Sequence, residues 1–436
     1  MWYHPLCSIH HWEERRDDLE PIATAPVLDL TPQDIDGLLN ELSSYHAIFS
    51  PLFKRPEQRE WSQTYLHGLL LELPRKSIEP MILALRGADR NAIRAMQQFL
   101  SEGAWDDTAI LHRLWSEIDT DLGDDDGVLL LDGSDFPKQG SHSVGVKRQY
   151  CGELGKTATC QAGVFLAYTS TKGYTLLDRR LYLPEEWISD PAFAQRRIAC
   201  RLPDDLNFTT KPSLGWDMID DVIQTQALRC RWVACDEGFG RDTALLDKIA
   251  AAHKWYFAEV PHDTHVWLTR PAVAVPQWNG RGRKPTRQRV VEGAPVPRTV
   301  AALAKGLPPS AWSRQLIKEG SQGPQVAEFA FVRVIGVRDR LPGEEVWLVL
   351  RRSLSDGELK TYLCNAPADI PQVRLVRMSA MRWPIELCFE TGKQELGMGD
   401  YEVRSWLGWH HHMTLVIMAQ AFLIRVQKRL KKTLLP

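Results

Sequence analysis

Apolar positions recur every three or four residues from about residue 30 to residue 122, a spacing typical of amphipathic helices. Thr31 is the expected N-cap of the first helix, with Pro32 at the first helical position and Asp34 three residues after the cap. The same period continues in REWSQTYLHGLLLEL, RNAIRAMQQFLSEG and DDTAILHRLWSEI. We therefore predict a helical N-terminal region that covers residues 1–126.

The pattern changes after this region to short apolar runs that are bounded by glycine-containing turns. GVLLLDGSD is typical of a strand buried on both faces, and SVGVKRQYCG, TCQAGVFLAYTS and YTLLDRRLYLP predict antiparallel strands. Two further buried strands, RWVACDEGFG and KWYFAEVP, alternate with the helices LGWDMIDDVIQTQAL and DTALLDKIAAAH. This alternation predicts an α/β core, whose first part covers residues 127–263.

Residues 264–367 interrupt the alternation and predict a β-rich insertion. The segment contains the basic stretch GRGRKPTRQR, followed by a predicted hairpin of EFAFVRVIGV and EVWLVLRRS with its turn in LPGEE. Residues 368–436 are expected to complete the core and to end the chain in long amphipathic helices.

Composition is that of a globular protein, with 44% hydrophobic and 25% charged residues. The longest apolar stretch, residues 413–424, is too short for a membrane span, and the N-terminus lacks a secretory pattern. The eight cysteines are scattered without a C-x-x-C pair, which favours reduced thiols in a cytoplasmic protein. The N-terminal residues His4, Cys7, His10 and His11 offer an alternative metal site, although a frayed terminus is the commoner interpretation.

Charge is distributed unevenly along the chain, although the formal net charge is only -2. Residues 1–126 carry 11 basic and 23 acidic side chains, whereas the remaining residues carry 42 and 32. A basic C-terminal two-thirds is compatible with a polyanionic partner.

Two aspartates and a glutamate are the strongest candidates for chemistry. Asp132 follows the apolar run VLLL and Asp236 follows WVAC, so both are predicted at the carboxyl ends of strands, where ligand sites of open α/β sheets lie. Glu386 and Lys393 share one face of the helix predicted in RWPIELCFETGK, at about 100° per residue. The alternatives are an Asp-Gly turn for each aspartate and a solvated pair for the glutamate and lysine.

Such a carboxylate triad can hold two Mg²⁺ ions roughly 4 Å apart, which stabilises the entering and leaving oxygens of a phosphodiester displacement. Oxygen ligands suit Mg²⁺, which keeps positions for water and phosphate. The neighbouring carboxylates Asp135 and Glu237 are further candidates, and Glu390 is the alternative to Glu386.

Several segments of the chain resemble insertion-sequence transposases of the DDE superfamily. They are LLLDGSDFPKQGSHSVGVKRQYCGELGKTATCQAGVF, DRRLYLPEEW and VACDEGFG, in that order. RWPIELCFETGK is similar to the YREK signature in the spacing of its last three members, Arg382, Glu386 and Lys393. The signature's tyrosine falls at Ser379, so no phosphate contact is assigned there. The resemblance runs from about residue 45 to the C-terminus.

The resemblance implies a ribonuclease H-like catalytic core with a β-rich insertion between the second aspartate and the glutamate. It implies that Asp132, Asp236 and Glu386 are the catalytic residues and bind two Mg²⁺ ions, for which Mn²⁺ is expected to substitute. The implied activity is cleavage of the ends of an insertion sequence, followed by attack of the freed 3′-hydroxyl on target DNA. The alternatives are a domesticated, non-catalytic DNA-binding descendant and a two-metal nuclease without strand transfer.

The resemblance also implies double-stranded DNA as the partner and a bacterial cytoplasmic location in association with the nucleoid. It is compatible with a homodimer. Basic side chains in three places are predicted to contact DNA phosphates. They are Arg382 and Lys393 of the signature, Arg281, Arg283, Lys284 and Arg287 of the basic stretch, and Lys138, Lys147 and Arg148 beside the first aspartate. For the basic stretch, a solvated loop is the alternative.

Overall fold

A computed structural model of the protein describes residues 32–320 and 323–434. The alternative metal site near the N-terminus and the N-cap predicted at Thr31 lie outside the described residues. The helices are α1 Pro32–Phe49, α2 Pro56–Leu70, α3 Ile78–Arg86, α4 Arg90–Ser101, α5 Asp107–Leu122, α6 Glu185–Ser189, α7 Ala194–Ala199, α8 Lys211–Thr225, α9 Glu237–Gly240, α10 Thr243–Ala251, α11 Val300–Gly306, α12 Gln372–Met378, α13 Trp383–Glu395 and α14 Trp406–Leu434.

Strands β1 to β6, β12 and β13 correspond to predicted strands, whereas β7 to β11 and β14 were not predicted. They are β1 Val128–Pro137, β2 Lys147–Cys151, β3 Lys156–Ser170, β4 Gly173–Tyr182, β5 Trp232–Cys235, β6 Trp255–Glu259, β7 His265–Trp267, β8 Val273–Ala274, β9 Arg289–Val290, β10 Arg298–Thr299, β11 Ser313–Gly320, β12 Gly323–Arg338, β13 Leu341–Ser353 and β14 Leu359–Cys364.

Helices α1 to α5 confirm the helices predicted between residues 32 and 122, the described part of this region. Aspartate side chains cap two of them: Asp89 accepts from the backbone of Asn91 and Ala92 before α4, and Asp106 caps α5. α2, α4 and α5 pack against α14, whose apolar middle is buried. The hydroxyl of Tyr45 donates to the Met418 carbonyl at 2.9 Å and ties α1 to α14. Among the described residues, no helix is both long and apolar enough to cross a bilayer.

One mixed sheet forms the centre of the molecule and confirms the predicted α/β core. Within the described ranges it has 12 strands, with the main path β10-β7-β12-β13-β14-β6-β5-β1-β3-β2. β1, β5 and β6 are parallel neighbours, and the other pairings are antiparallel. The segment predicted as an insertion extends this sheet, because β14 pairs directly with β6.

Helices cover both faces of the sheet around β1. Leu131 faces α8, where a Cβ on Gly215 would lie 2.5 Å from the leucine Cδ2, so only glycine permits this approach. Asp132 points to the opposite face, because successive side chains alternate along a strand. Its cross-strand partner Phe165 packs edge-on against Phe389 of α13, with ring centroids 5.4 Å apart. Asp132 therefore faces α13.

Two local predictions were wrong. β1 does not end at Asp132 but continues to Pro137, because its antiparallel pairing with β3 extends over the whole strand. Only the parallel pairing with β5 stops before the aspartate, at Leu131 and Cys235. The hairpin of β12 and β13 turns at Asp339 and Arg340, which have φ of 49° and 65°, so LPGEE opens β13 instead of forming the turn.

Candidate active site

Three adjacent parallel strands bring carboxylates to one level of the sheet. Leu131 is in register with Cys235, and Cys235 with Ala258, so the residues that follow them are Asp132, Asp236 and Glu259. Sequence reasoning missed Glu259. The signal was present, since Glu259 closes the apolar run WYFA, but the pattern that singled out the aspartates was a carboxylate followed by glycine or by Glu-Gly.

The segment DEGFG after β5 fixes two of these carboxylates. Asp236 is the N-cap of α9, and its side chain accepts from the backbone N–H of Phe239 at 3.1 Å. Gly240 lies against β6 so closely that a Cβ there would be 1.9 Å from the carbonyl oxygen of Glu259. Glycine at this position therefore allows α9 to hold the ends of β5 and β6 together.

Glu386 reaches the same region from α13, which confirms the predicted helix. Buried Ile385 and Cys388 hold one side of α13 against the core. Arg382 is the residue just before the helix and has αR geometry, with φ -78° and ψ -35°. Pro384 lies in the first turn, where its missing N–H removes no helical hydrogen bond.

Arg382 lies among the carboxylates and contacts three of them. Its Nη1 is 3.2 Å from Asp132 Oδ2, and its Nη2 is 3.0 Å from Glu386 Oε1. Its Nε is 3.7 Å from Glu259 Oε2. The structure thus brings together the three predicted positions Arg382, Asp132 and Glu386, with Asp236 just after the neighbouring strand β5.

Burial and mutual repulsion shift the protonation of this group. Burial, with the nearby charge of Asp236, raises the pKa of Asp132 to about 7, although Arg382 acts in the opposite direction. Burial also raises the pKa of Asp236. Burial lowers the pKa of Arg382. The negative charges of the surrounding carboxylates have the larger combined effect and raise it. The site therefore favours added positive charge.

The donors are carboxylate oxygens, which fit a hard cation such as Mg²⁺. In the described parts of the chain, no three His, Cys, Asp or Glu side chains are grouped closely enough to hold an ion as they stand. The guanidinium of Arg382 lies between the carboxylates that the sequence predicted as ligands. The carboxylate oxygens are therefore suitable metal ligands. In the present structure the positive charge beside them is that of Arg382.

A cavity of about 410 Å³ opens next to Arg382. Its basic lining comes from Lys318, Arg351, Lys360 and Arg382, and Glu259 is its carboxylate. Ser379, at the position of the signature's tyrosine, also lines it, but the serine hydroxyl donates to the Val376 carbonyl at 2.7 Å. The cavity is therefore a basic recess beside an acidic cluster.

Other predicted positions lie elsewhere. Lys393 forms an ion pair with Glu153 and lies 3.4 Å from the carbonyl oxygen of Asp135. The Asp135 side chain accepts from the backbone of Gly152 at 2.7 Å. Neither Lys393 nor Asp135 contacts the Arg382 cluster. The remaining acidic alternatives also face outward: Glu237 pairs with Arg241 at 3.3 Å, and Glu390 is exposed.

The basic residues predicted for DNA have different environments. Lys147 forms an ion pair with Glu186, and Arg148 beside it is exposed. Lys138 lies 3.4 Å from the centre of the Tyr401 ring, and burial lowers its pKa to about 8. The basic stretch between β8 and β9 is exposed at Arg281, Arg283, Lys284 and Arg287.

A sequence model of a family described as DDE superfamily endonuclease matches residues 48–324. The chain belongs to the DDE superfamily of endonucleases. The match contains Asp132, Asp236 and Glu259 and ends before α13. It confirms the resemblance to DDE transposases and the ribonuclease H-like α/β fold, whereas the YREK subgroup stays a prediction. No curated protein matches this DDE endonuclease.

Proposed function

We propose that this DDE endonuclease is a transposase that cuts double-stranded DNA at the ends of an insertion sequence and joins them to target DNA. Asp132, Asp236 and Glu386 are its catalytic carboxylates. The observation that carries the proposal is the position of Arg382, within 3.2 Å of Asp132 and 3.0 Å of Glu386. Asp132 and Glu386 are 254 positions apart in the chain, and Arg382 contacts both of them at the end of the parallel pairing of β1 with β5.

Each side chain has a distinct proposed task. The three carboxylates hold divalent cations, and two Mg²⁺ ions, when bound, supply activated water and stabilise the charge of the reacting phosphate. Arg382 binds phosphate oxygens through its planar fork of N–H groups. Partial burial strengthens these electrostatic interactions, because the surrounding dielectric is lower than that of water. Lys360 and Arg351 make the adjacent cavity attractive to the DNA backbone.

The basic stretch and the hairpin of β2 and β3 extend the proposed DNA contact. Arg281, Arg283, Lys284 and Arg287 are exposed without a nearby acidic residue in their own segment, which suits phosphate binding. Lys138, Lys147 and Arg148 are proposed to line the DNA path beside Asp132. We extend the proposal to a homodimer that works at the bacterial nucleoid.

Two other functions compete with the proposal. A domesticated DNA-binding descendant would no longer need a cluster of buried carboxylates, which costs stability because the charged forms are desolvated. A two-metal nuclease would use the same cluster and would differ only in the absence of strand transfer. Cleavage and joining must therefore be measured separately.

The test incubates the protein, Mg²⁺, a target plasmid and duplex DNA from the genomic flanks of its gene. We expect cleaved ends and, in addition, joined products. Asp132→Asn, Asp236→Asn and Glu386→Gln should abolish both products while DNA binding remains. Asp135→Asn is the matched control on β1, since an asparagine oxygen can still accept from Gly152. Mg²⁺-dependent cleavage by Glu386→Gln would refute the assignment, and cleavage without joining would favour the nuclease.

A further inference from the structure

We propose that Glu259 is a positioning residue that anchors Arg382, so that the two terminal nitrogens of the arginine face the catalytic carboxylates. The inference rests on the proposed function and adds a fourth carboxylate to the site. Glu259 closes β6, one strand beyond Asp236, and its side chain is only 16% exposed.

The three nitrogens of Arg382 have three different partners. Nη1 lies 3.2 Å from Asp132 and Nη2 3.0 Å from Glu386, whereas Nε forms a longer ion pair with Glu259, at 3.7 Å. A guanidinium is planar, so a carboxylate held beside Nε favours one direction for the other two nitrogens. Glu259 therefore controls the orientation of the fork without contacting the reacting groups.

Glu259 is itself held firmly, as an anchor must be. Its backbone is paired to β14 through Tyr362, and Gly240 packs against its carbonyl oxygen. Its Oε1 lies 3.4 Å from the ammonium of Lys360. Strand pairing, close packing and a second cation thus leave the carboxylate little freedom to follow a moving arginine.

The surroundings of Glu259 favour anchoring over metal binding. Both of its carboxylate oxygens already face cations, Oε1 towards Lys360 and Oε2 towards Arg382. Glu259 also lines the basic cavity together with Arg351 and Lys318. Glu259 thus has two cationic partners, whereas Asp132 shares Arg382 with other carboxylates and lies near the negative charge of Asp236.

The functional consequence concerns turnover more than affinity. A guanidinium that is free to rotate keeps its charge, so its long-range attraction for DNA persists. When the guanidinium loses its orientation, its interaction with the reacting phosphate becomes weaker. Donors that are already in position stabilise the transition state without having to rearrange first. Removal of the Glu259 charge should therefore lower kcat and leave KM for DNA nearly unchanged.

The test compares Glu259→Gln, Arg382→Lys and the double variant with the wild-type protein. Glu117→Gln is the matched control: Glu117 is 15% exposed and also bridges two cations, Arg113 at 2.6 Å and Arg425 at 3.0 Å. The measurements are kcat and KM for Mg²⁺-dependent cleavage of flanking duplex DNA, Mn²⁺ binding by electron paramagnetic resonance without DNA, and thermal melting.

We expect Glu259→Gln to lower kcat about tenfold, which is about 1.4 kcal/mol of barrier, with KM and Mn²⁺ binding changed less than about twofold. In the Arg382→Lys background the same change should have almost no further effect, because the anchored group is already altered. Glu259→Asp, which keeps the charge, should restore part of kcat and serves as the test if Glu259→Gln does not fold. The control should resemble the wild type.

Three results would overturn the inference while leaving the proposed function intact: an unchanged kcat, a full tenfold effect in the Arg382→Lys background, or weaker Mn²⁺ binding. The last result would make Glu259 a metal ligand. Absence of cleavage by the wild-type protein would instead overturn the proposed function, and this inference with it.

Discussion

Lys393 of α13 forms an ion pair with Glu153, which lies on the turn between β2 and β3. The sequence placed Lys393 and Glu386 on one helical face, but the structure gives them different partners, since Glu386 pairs with Arg382. A DNA phosphate must therefore compete with the Glu153 carboxylate for Lys393. If Lys393 binds DNA as proposed, we therefore expect Glu153 to weaken DNA binding.

The first prediction is that Glu153→Gln strengthens DNA binding and steepens its log–log salt dependence by up to about one unit. Lys393→Ala should weaken binding by roughly 10- to 150-fold, the effect of removing a charge-assisted hydrogen bond of about 1.5–3 kcal/mol. Fluorescence anisotropy over a salt series measures both. Glu60→Gln, which breaks the ion pair with Arg86 in the helical region, is the control. If Lys393→Ala binds DNA as tightly as the wild-type protein, the lysine has only a structural role, in its ion pair with Glu153.

The second prediction concerns pH. Asp132 keeps its proton in the folded protein up to about pH 7, whereas an unfolded aspartate loses it near about pH 4. The folded state therefore binds the extra proton between these values, and stability should fall as pH rises through this range. Asp132→Asn should reduce the fall and raise Tm at pH 8 in EDTA by roughly 1 °C for each kcal/mol regained.

Melting curves from pH 4 to 8 in EDTA provide the check, with Asp135→Asn as the control on the same strand. A variant Asp132→Asn that melts below the wild-type protein at pH 8 would contradict the raised pKa. Divalent metal should bind more tightly as pH rises through about 7, because the ion binds the deprotonated carboxylate.

The third prediction concerns the basic stretch. Neutralising Arg283, Lys284 and Arg287 together should weaken binding to flanking and random DNA alike, because phosphate contacts carry no sequence information. The slope of the log–log salt dependence should flatten by nearly one unit for each DNA phosphate that is no longer neutralised. A control set from the helical region is Arg55, Arg90 and Arg94, which are exposed to a similar degree. An unchanged slope would favour the solvated loop.

The fourth prediction concerns Gly240. Its substitution by alanine places a Cβ against the Glu259 carbonyl, which belongs to the sheet backbone and cannot rotate away. We expect a decrease of about 1–3 kcal/mol or more in unfolding free energy, together with lower activity. Gly37→Ala is the control, since a Cβ there meets nothing within 4 Å and alanine favours a helix by about 1 kcal/mol. Equal stability of the two variants would argue against the close contact.

Local patterns were sufficient to predict much of this molecule. Asp132 and Asp236 were identified because an apolar run followed by a carboxylate is visible within ten residues. The helix with Glu386 was predicted from its apolar spacing. The predicted helical region and α/β core depend on the same short-range periods, and the structure confirms both.

Contacts between distant residues could not be predicted in this way. Glu153 and Lys393 are 240 residues apart, and no local period connects them. Glu259 gains its place only because β6 pairs with β5 and because Arg382 arrives from a segment after β14. The end of β1 was misplaced for the same reason, since β3 determines how far that strand extends.

The main sheet is continuous from the carboxylates to β7 and β10, the strands before and after the segment that carries the basic stretch. β6 is hydrogen-bonded to β14, and the ladder continues through β13 and β12 to β7 and β10, which flank the segment with Arg283 and Lys284. A change in the distance between β7 or β10 and Asp132 would have to break ladder hydrogen bonds or bend the sheet. The basic stretch itself lies in the loop between β8 and β9, which form a separate two-stranded sheet. If the basic stretch binds DNA as proposed, its contact should therefore fall within the distance from the cut bond that this loop, anchored at β7 and β10, can reach.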